Sequence, residues 1–120
     1  MKVLVIDDEQ DIRLVAQVSL RAAGMTVVTA AGGAAGVEAA RRERPDAILL
    51  DVMMPGMDGY ETFATLKADA DLRGIPVVFL TAKHPGRTES LSRSAGAAGF
   101  IAKPFLPLDL PTQLKTLLGV

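Results

Sequence analysis

The stretch Ala47-Ile48-Leu49-Leu50-Asp51 constrains this chain more than any other, because an unbroken apolar run stops there on a carboxylate. Four apolar residues without polar alternation are the pattern of a strand covered on both faces, which occurs in parallel sheets flanked by helices. Asp51 then stands at the carboxyl end of that strand. Pro55, Gly56 and Gly59 follow, so neither a continuing strand nor an immediate helix is expected, and a loop leaves the acid at the sheet's rim. Ligands of open α/β sheets bind along that rim.

The same grammar recurs along the chain. Lys2 to Ile6 is a second short apolar run, and it ends in Asp7, Asp8 and Glu9. From Ile12 the positions Ile12, Val15, Ala16, Ser19, Leu20 and Ala23 follow helical spacing, and Gly24 supplies a stop. Met25 to Ala30 reads as a strand, Gly32 and Gly33 as a turn, and Ala34 to Glu43 as an alanine-rich helix ending before Pro45. Asp58 is placed to cap a helix with Tyr60, Phe63, Ala64 and Leu66 on one side. Pro76 opens Val77 to Leu80, which stops at Thr81. His84-Pro85-Gly86 reads as a loop, and Thr88 to Ala95 as a fourth helix held only by Leu91 and Ala95. Gly99 to Ala102 is a last strand running into Lys103-Pro104. Leu110, Leu114, Leu117 and Leu118 mark a final helix, with Asp109 placed to cap it and Pro111 in its first turn.

Five strands alternating with five helices imply a parallel sheet covered on both faces by right-handed crossovers, a three-layer α/β doubly wound fold. The length of 120 residues fits one domain over residues 1–120, and 49% hydrophobic residues can fill its core. The absence of cysteine excludes disulfides and thiolate metal sites and suits a reducing cytoplasm. No signal segment and no apolar stretch near ~20 residues is present, so membrane insertion is not expected. A net charge of -1 offers no basic field for direct nucleic-acid binding, so a role in gene control needs a partner or a further domain.

Because all strands of such a sheet point the same way, Asp7 and Asp8, Asp51, Thr81 and Lys103 converge on one edge. Three clustered carboxylates raise one another's pKa, and a hard divalent cation relieves the repulsion. Carboxylates together with waters and a phosphate oxygen are the usual environment of Mg²⁺. A carboxylate beside Mg²⁺ and an ammonium can attack phosphorus to give an aspartyl phosphate, with Lys103 and the Thr81 hydroxyl able to stabilise the equatorial oxygens.

Asp7-Asp8, Asp51 with Met54-Pro55-Gly56-Met57-Asp58-Gly59, Thr81-Ala82 and Lys103-Pro104-Phe105 together resemble the receiver domain of two-component response regulators, in particular the single-domain, chemotaxis-regulator-like type. The resemblance spans essentially the whole chain. It implies a flavodoxin-like sheet of order 2-1-3-4-5 and a cis bond before Pro104. It also implies Asp51 as phosphoacceptor, Asp7, Asp8 and Asp51 with the Met53 backbone carbonyl around Mg²⁺, and Lys103 paired with the phosphoryl group. Thr81 and Phe100 fall at the positions of the switch hydroxyl and switch aromatic. The implied partners are a histidine kinase or phosphotransfer protein as donor, and a downstream protein target on the face of the fourth helix, last strand and last helix. The implied role is a phosphorylation-dependent switch that catalyses its own modification and turns over no metabolite.

Blander readings stand beside these. Asp7 and Asp8 can cap the first helix, Lys103 can be a solvated charge, Phe100 and the methionines 53, 54 and 57 can be packing, and His84 reads as a solvated loop residue. Three other functions compete. A flavin binder is disfavoured by Asp7-Asp8-Glu9, which repel a phosphate. An aspartyl-phosphate phosphatase usually carries a second acid two residues beyond its nucleophile, where this chain has Met53. A receiver-like adaptor that is never phosphorylated is disfavoured because every motif residue is present. An end at Val120 favours a stand-alone regulator, although an excised domain reads the same.

Overall fold

The computed structural model describes residues 1–54, 56, 58–81 and 96–120. Five strands, β1 (Lys2–Ile6), β2 (Thr26–Ala30), β3 (Ala47–Asp51), β4 (Val77–Thr81) and β5 (Gly99–Ala102), form one sheet of order β2-β1-β3-β4-β5. Every neighbouring pair is parallel. Four helices lie among the described residues: α1 (Gln10–Ala22), α2 (Gly33–Glu43), α3 (Gly59–Ala68) and α4 (Leu110–Leu118). The helix expected over 88–95, together with His84, lies outside the described residues.

Alternation along the central strands divides the core into two layers. Leu4, Ile6, Ile48, Leu50, Val77 and Phe79 face one way, toward Val37, Ala39 and Ala40 of α2 and Phe63 and Leu66 of α3. Val3, Val5, Leu49, Val78 and Leu80 face the other way, toward Ala16 and Leu20 of α1 and Leu110 and Leu114 of α4. Both faces of β1, β3 and β4 are therefore covered, which is why their sequences show no polar alternation.

The helix boundaries follow local chemistry. Gly24, at φ +88, ends α1 in the left-handed region that glycine adopts freely. The Asp58 side chain accepts the Glu61 N–H at 2.8 Å and so caps α3, as expected. Two expectations are corrected. Gly33 is the first residue of α2 and not part of the turn. Thr62, not Ala64, shares the buried side of α3, because its hydroxyl donates to the Asp58 carbonyl at 2.8 Å and leaves no polar group unpaired. On α1 the apolar stripe is wider than the buried face, and Val15 sits at the solvent edge while Leu14 and Val18 are exposed.

Candidate functional site

Strand register sets the site. Ile6 pairs with Leu50, so Asp7 and Asp51 emerge level at the carboxyl ends of adjacent central strands. Thr81 pairs with Ala102, which puts Lys103 one step beyond Thr81, and the Lys103 N–H donates to the Thr81 carbonyl at 2.6 Å. The Lys103–Pro104 peptide is cis, as the resemblance implies. The four strand ends that carry these residues thus meet along one rim.

Asp7 is completely buried. Its N–H donates to the Ala30 carbonyl at 3.1 Å, its Oδ1 accepts the Glu9 N–H at 2.9 Å, and its Oδ2 lies 2.8 Å from Lys103 Nζ. Glu9 is the N-cap of α1, which has no side-chain cap, so capping does not account for Asp7 and Asp8. Asp51 is 3% exposed. Its Oδ1 accepts from Lys103 Nζ at 3.0 Å and from the Met53 N–H at 3.3 Å, while its Oδ2 is buried with no hydrogen-bond partner. Asp8 is exposed, yet one carboxylate oxygen from each of Asp7, Asp8 and Asp51 lies within 4.8 Å of the others. Lys103 Nζ therefore bridges two buried carboxylates, and a third, Glu9 Oε1, stands 3.6 Å away.

Burial pushes the Asp51 carboxyl up to about 7, and the Asp7 charge adds to the rise against the opposing Lys103 hydrogen bond. Burial works against the charged form of Lys103 as well, but the hydrogen bonds it donates to Asp7 and Asp51, together with their charges, outweigh it and raise the pKa of the ammonium above its ordinary value. The rim is thus short of positive charge. Three hard oxygen donors at this spacing, two of them on buried aspartates, suit a small divalent cation such as Mg²⁺.

Thr81 is buried at the end of β4. Phe100 is half-buried on β5, paired in register with Phe79. Met53 is 73% exposed and so is not loop packing, whereas Met54 is buried and Met57 lies outside the described residues. Three contributors were not foreseen from sequence. Glu9 belongs to the visible acidic run, but nothing in that run signals its approach to Lys103. The Arg13 guanidinium donates to the Asp7 carbonyl at 2.8 Å, a contact made only once α1 has folded back on β1. Gly59 reads as a loop breaker but opens α3 against Asp51: a Cβ there would overlap the Asp51 carbonyl oxygen and lie 2.7 Å from the Val52 Cα. Its N–H donates to the Val52 carbonyl at 2.9 Å.

The sheet order is that of the flavodoxin-like doubly wound fold, with an acidic, lysine-closed rim at the carboxyl ends of its strands. Residues 3–115 match the family described as response regulator receiver domain, and the chain belongs to that family. It is 36% identical over 116 residues to a probable transcriptional regulatory protein, TcrX, of Mycobacterium tuberculosis, covering 97% of this chain and 49% of that protein. It is likewise 36% identical over 117 residues to the alkaline phosphatase synthesis transcriptional regulatory protein PhoP of Bacillus subtilis, covering 98% and 48%. The chain thus spans about half the length of these curated relatives. The chemotaxis protein CheY4 of Vibrio cholerae superposes with a TM-score of 0.90 at 33% identity, covering 97% of both chains. The chain is therefore a receiver domain of the two-component signalling type, a family of phosphorylation-dependent switches. Among the described residues no helix is long and apolar enough to cross a membrane.

Proposed function

We propose that residues 1–120 act as one receiver unit in which Asp51 is the phosphoacceptor, and that phosphorylation changes its affinity for a protein target. The observation that carries this reading is the Asp51 carboxylate itself. It is buried, bridged on one oxygen by Lys103 and left without a partner on the other. That second oxygen is the candidate nucleophile. In the step, Asp51 Oδ2 forms an O–P bond, the bond from phosphorus to the donor's leaving atom breaks, and the leaving group takes the electron pair and is protonated from solvent. Lys103 stays beside the reacting group and offsets charge on the transferred phosphoryl oxygens. Asp7 orients Lys103 through the 2.8 Å contact.

Mg²⁺ would be held by Asp7, Asp8 and Asp51 with the Met53 carbonyl, and when bound it supplies positive charge to the phosphoryl oxygens. Thr81 and Phe100 serve as switch residues, Thr81 at the rim and Phe100 on the adjoining strand. A cavity of about 300 Å³ between β5 and α4, lined by Phe100, Gln113, Thr116 and Leu117 among others, supports an output face there. The donor is a histidine kinase or phosphotransfer protein, and the compartment is the cytoplasm. The chain catalyses its own phosphorylation and dephosphorylation and processes no metabolite.

The test of the switch is hydrogen exchange with and without a phosphoryl mimic such as beryllofluoride. The expected response is loss or gain of protection in residues 82–105. A response confined to residues 10–45 contradicts the assignment of Thr81 and Phe100.

A further inference from the structure

The third carboxylate at Lys103 has no part in the chemistry described so far. Glu9 follows the acid pair directly, and its side chain is 61% exposed, so its charge faces the solvent through which a donor arrives. Asp7 and Asp51, at 2.8 and 3.0 Å, already occupy the inner side of the Lys103 ammonium. Glu9, at 3.6 Å, adds a negative charge on the outer side. Asp51 Oδ2, the oxygen that the proposed transfer joins to phosphorus, is buried with no hydrogen-bond partner beside the same ammonium.

We propose that Glu9 is a specificity-determining residue: its charge at the Lys103 rim disfavours free anionic phosphodonors and so biases the domain toward a donor delivered by a protein. The proposal rests on the reading of Asp51 as phosphoacceptor. A small phosphodonor reaches Asp51 by diffusion alone, and an extra exposed like charge beside Lys103 lowers its local concentration. A protein-borne phosphohistidine is placed by its own docking contacts, so the same charge penalises it less. Because Glu9 is exposed, the effect is screened by salt, with a Debye length of about 10 Å at 0.1 M and about 3 Å at 1 M. A group that only propped Lys103 in place would lack both the donor-charge dependence and the salt dependence.

The test measures initial phosphorylation rates of the full chain with Mg²⁺, using acetyl phosphate and phosphoramidate, the former carrying more negative charge near neutral pH. Glu9→Gln is expected to accelerate labelling by acetyl phosphate about three- to tenfold at low ionic strength. The gain with phosphoramidate should be smaller, and both gains should fade toward 1 M salt. Asp46→Asn makes the same change in net charge beside Lys2, at the opposite end of the sheet, and should leave the rates within about twofold. Equal rates for Glu9→Gln and wild type at low salt overturn the inference, as does a slowing by Glu9→Gln that is the same for both donors and at every salt concentration. If wild type takes no label from either donor while its melting curve is intact, the reading of Asp51 itself falls.

Discussion

At the scale of single residues, burial decides the chemistry. Asp51 has a folded pKa of about 7 against an ordinary aspartate value of 3.8, so between those limits the folded chain holds a proton that the unfolded chain has released. Its ionisation therefore opposes folding: the Asp51 contribution falls as pH rises from about 4 through about 7 and is level above. Each unit of separation is worth about 1.4 kcal/mol. In chelator, urea denaturation should show Asp51→Asn gaining on wild type by about 1 kcal/mol or more between pH 5 and pH 8; parallel curves would reject the raised pKa. Met53 governs a different property. Its exposed thioether beside Asp51 cannot orient an attacking water as an amide can, so Met53→Asn should shorten the lifetime of the phosphorylated state severalfold. Phosphate release followed after donor removal measures this, and unchanged decay would exclude side-chain control at 53. The identities of Asp7, Asp8, Asp51, Thr81 and Lys103 were legible because each ends an apolar run. The Glu9 and Arg13 contacts were not, since they depend on how the start of α1 is aimed over the rim, which spacing does not encode.

At the scale of elements, the site depends on how closely α3 approaches β3. Gly59 permits that approach, and its second role was hidden because a glycine after Pro55 and Gly56 reads equally well as a loop breaker. Gly59→Ala must push the helix start off the Asp51 and Val52 backbone, which is less able to yield than a side chain. The expected loss is about 1–3 kcal/mol in equilibrium unfolding, accompanied by slower phosphorylation. A variant as stable and as readily labelled as wild type would mean the helix start shifts without cost. The central strands β1, β3 and β4 were well predicted, since runs buried on both faces carry a strong signal and each stops at a polar residue. Helix faces were less so: on α1, Val15 belongs to the apolar stripe but lies at the solvent edge, and on α3 a buried Thr62 replaced the expected Ala64. A threonine that bonds its own helix backbone is apolar in effect, which a hydropathy pattern cannot register.

At the scale of the whole molecule, the parallel sheet of order β2-β1-β3-β4-β5 brings residues separated by 44 or more positions in sequence, such as Asp7 and Asp51, onto one rim. This convergence requires only that all strands point the same way, which is why the acid cluster could be expected without coordinates. Its consequence is a native state that gathers like charges. Mg²⁺ should raise the melting temperature by binding the folded cluster, and Asp8→Asn should weaken that rise; an unaltered Mg²⁺ titration would place the cation elsewhere. The claim on which the rest depends is that Asp51 accepts the phosphoryl group. Intact-mass measurement after incubation with acetyl phosphate and Mg²⁺ tests it most directly: the wild-type chain should gain one phosphoryl mass and Asp51→Asn none, whereas the same gain in Asp51→Asn would contradict the account.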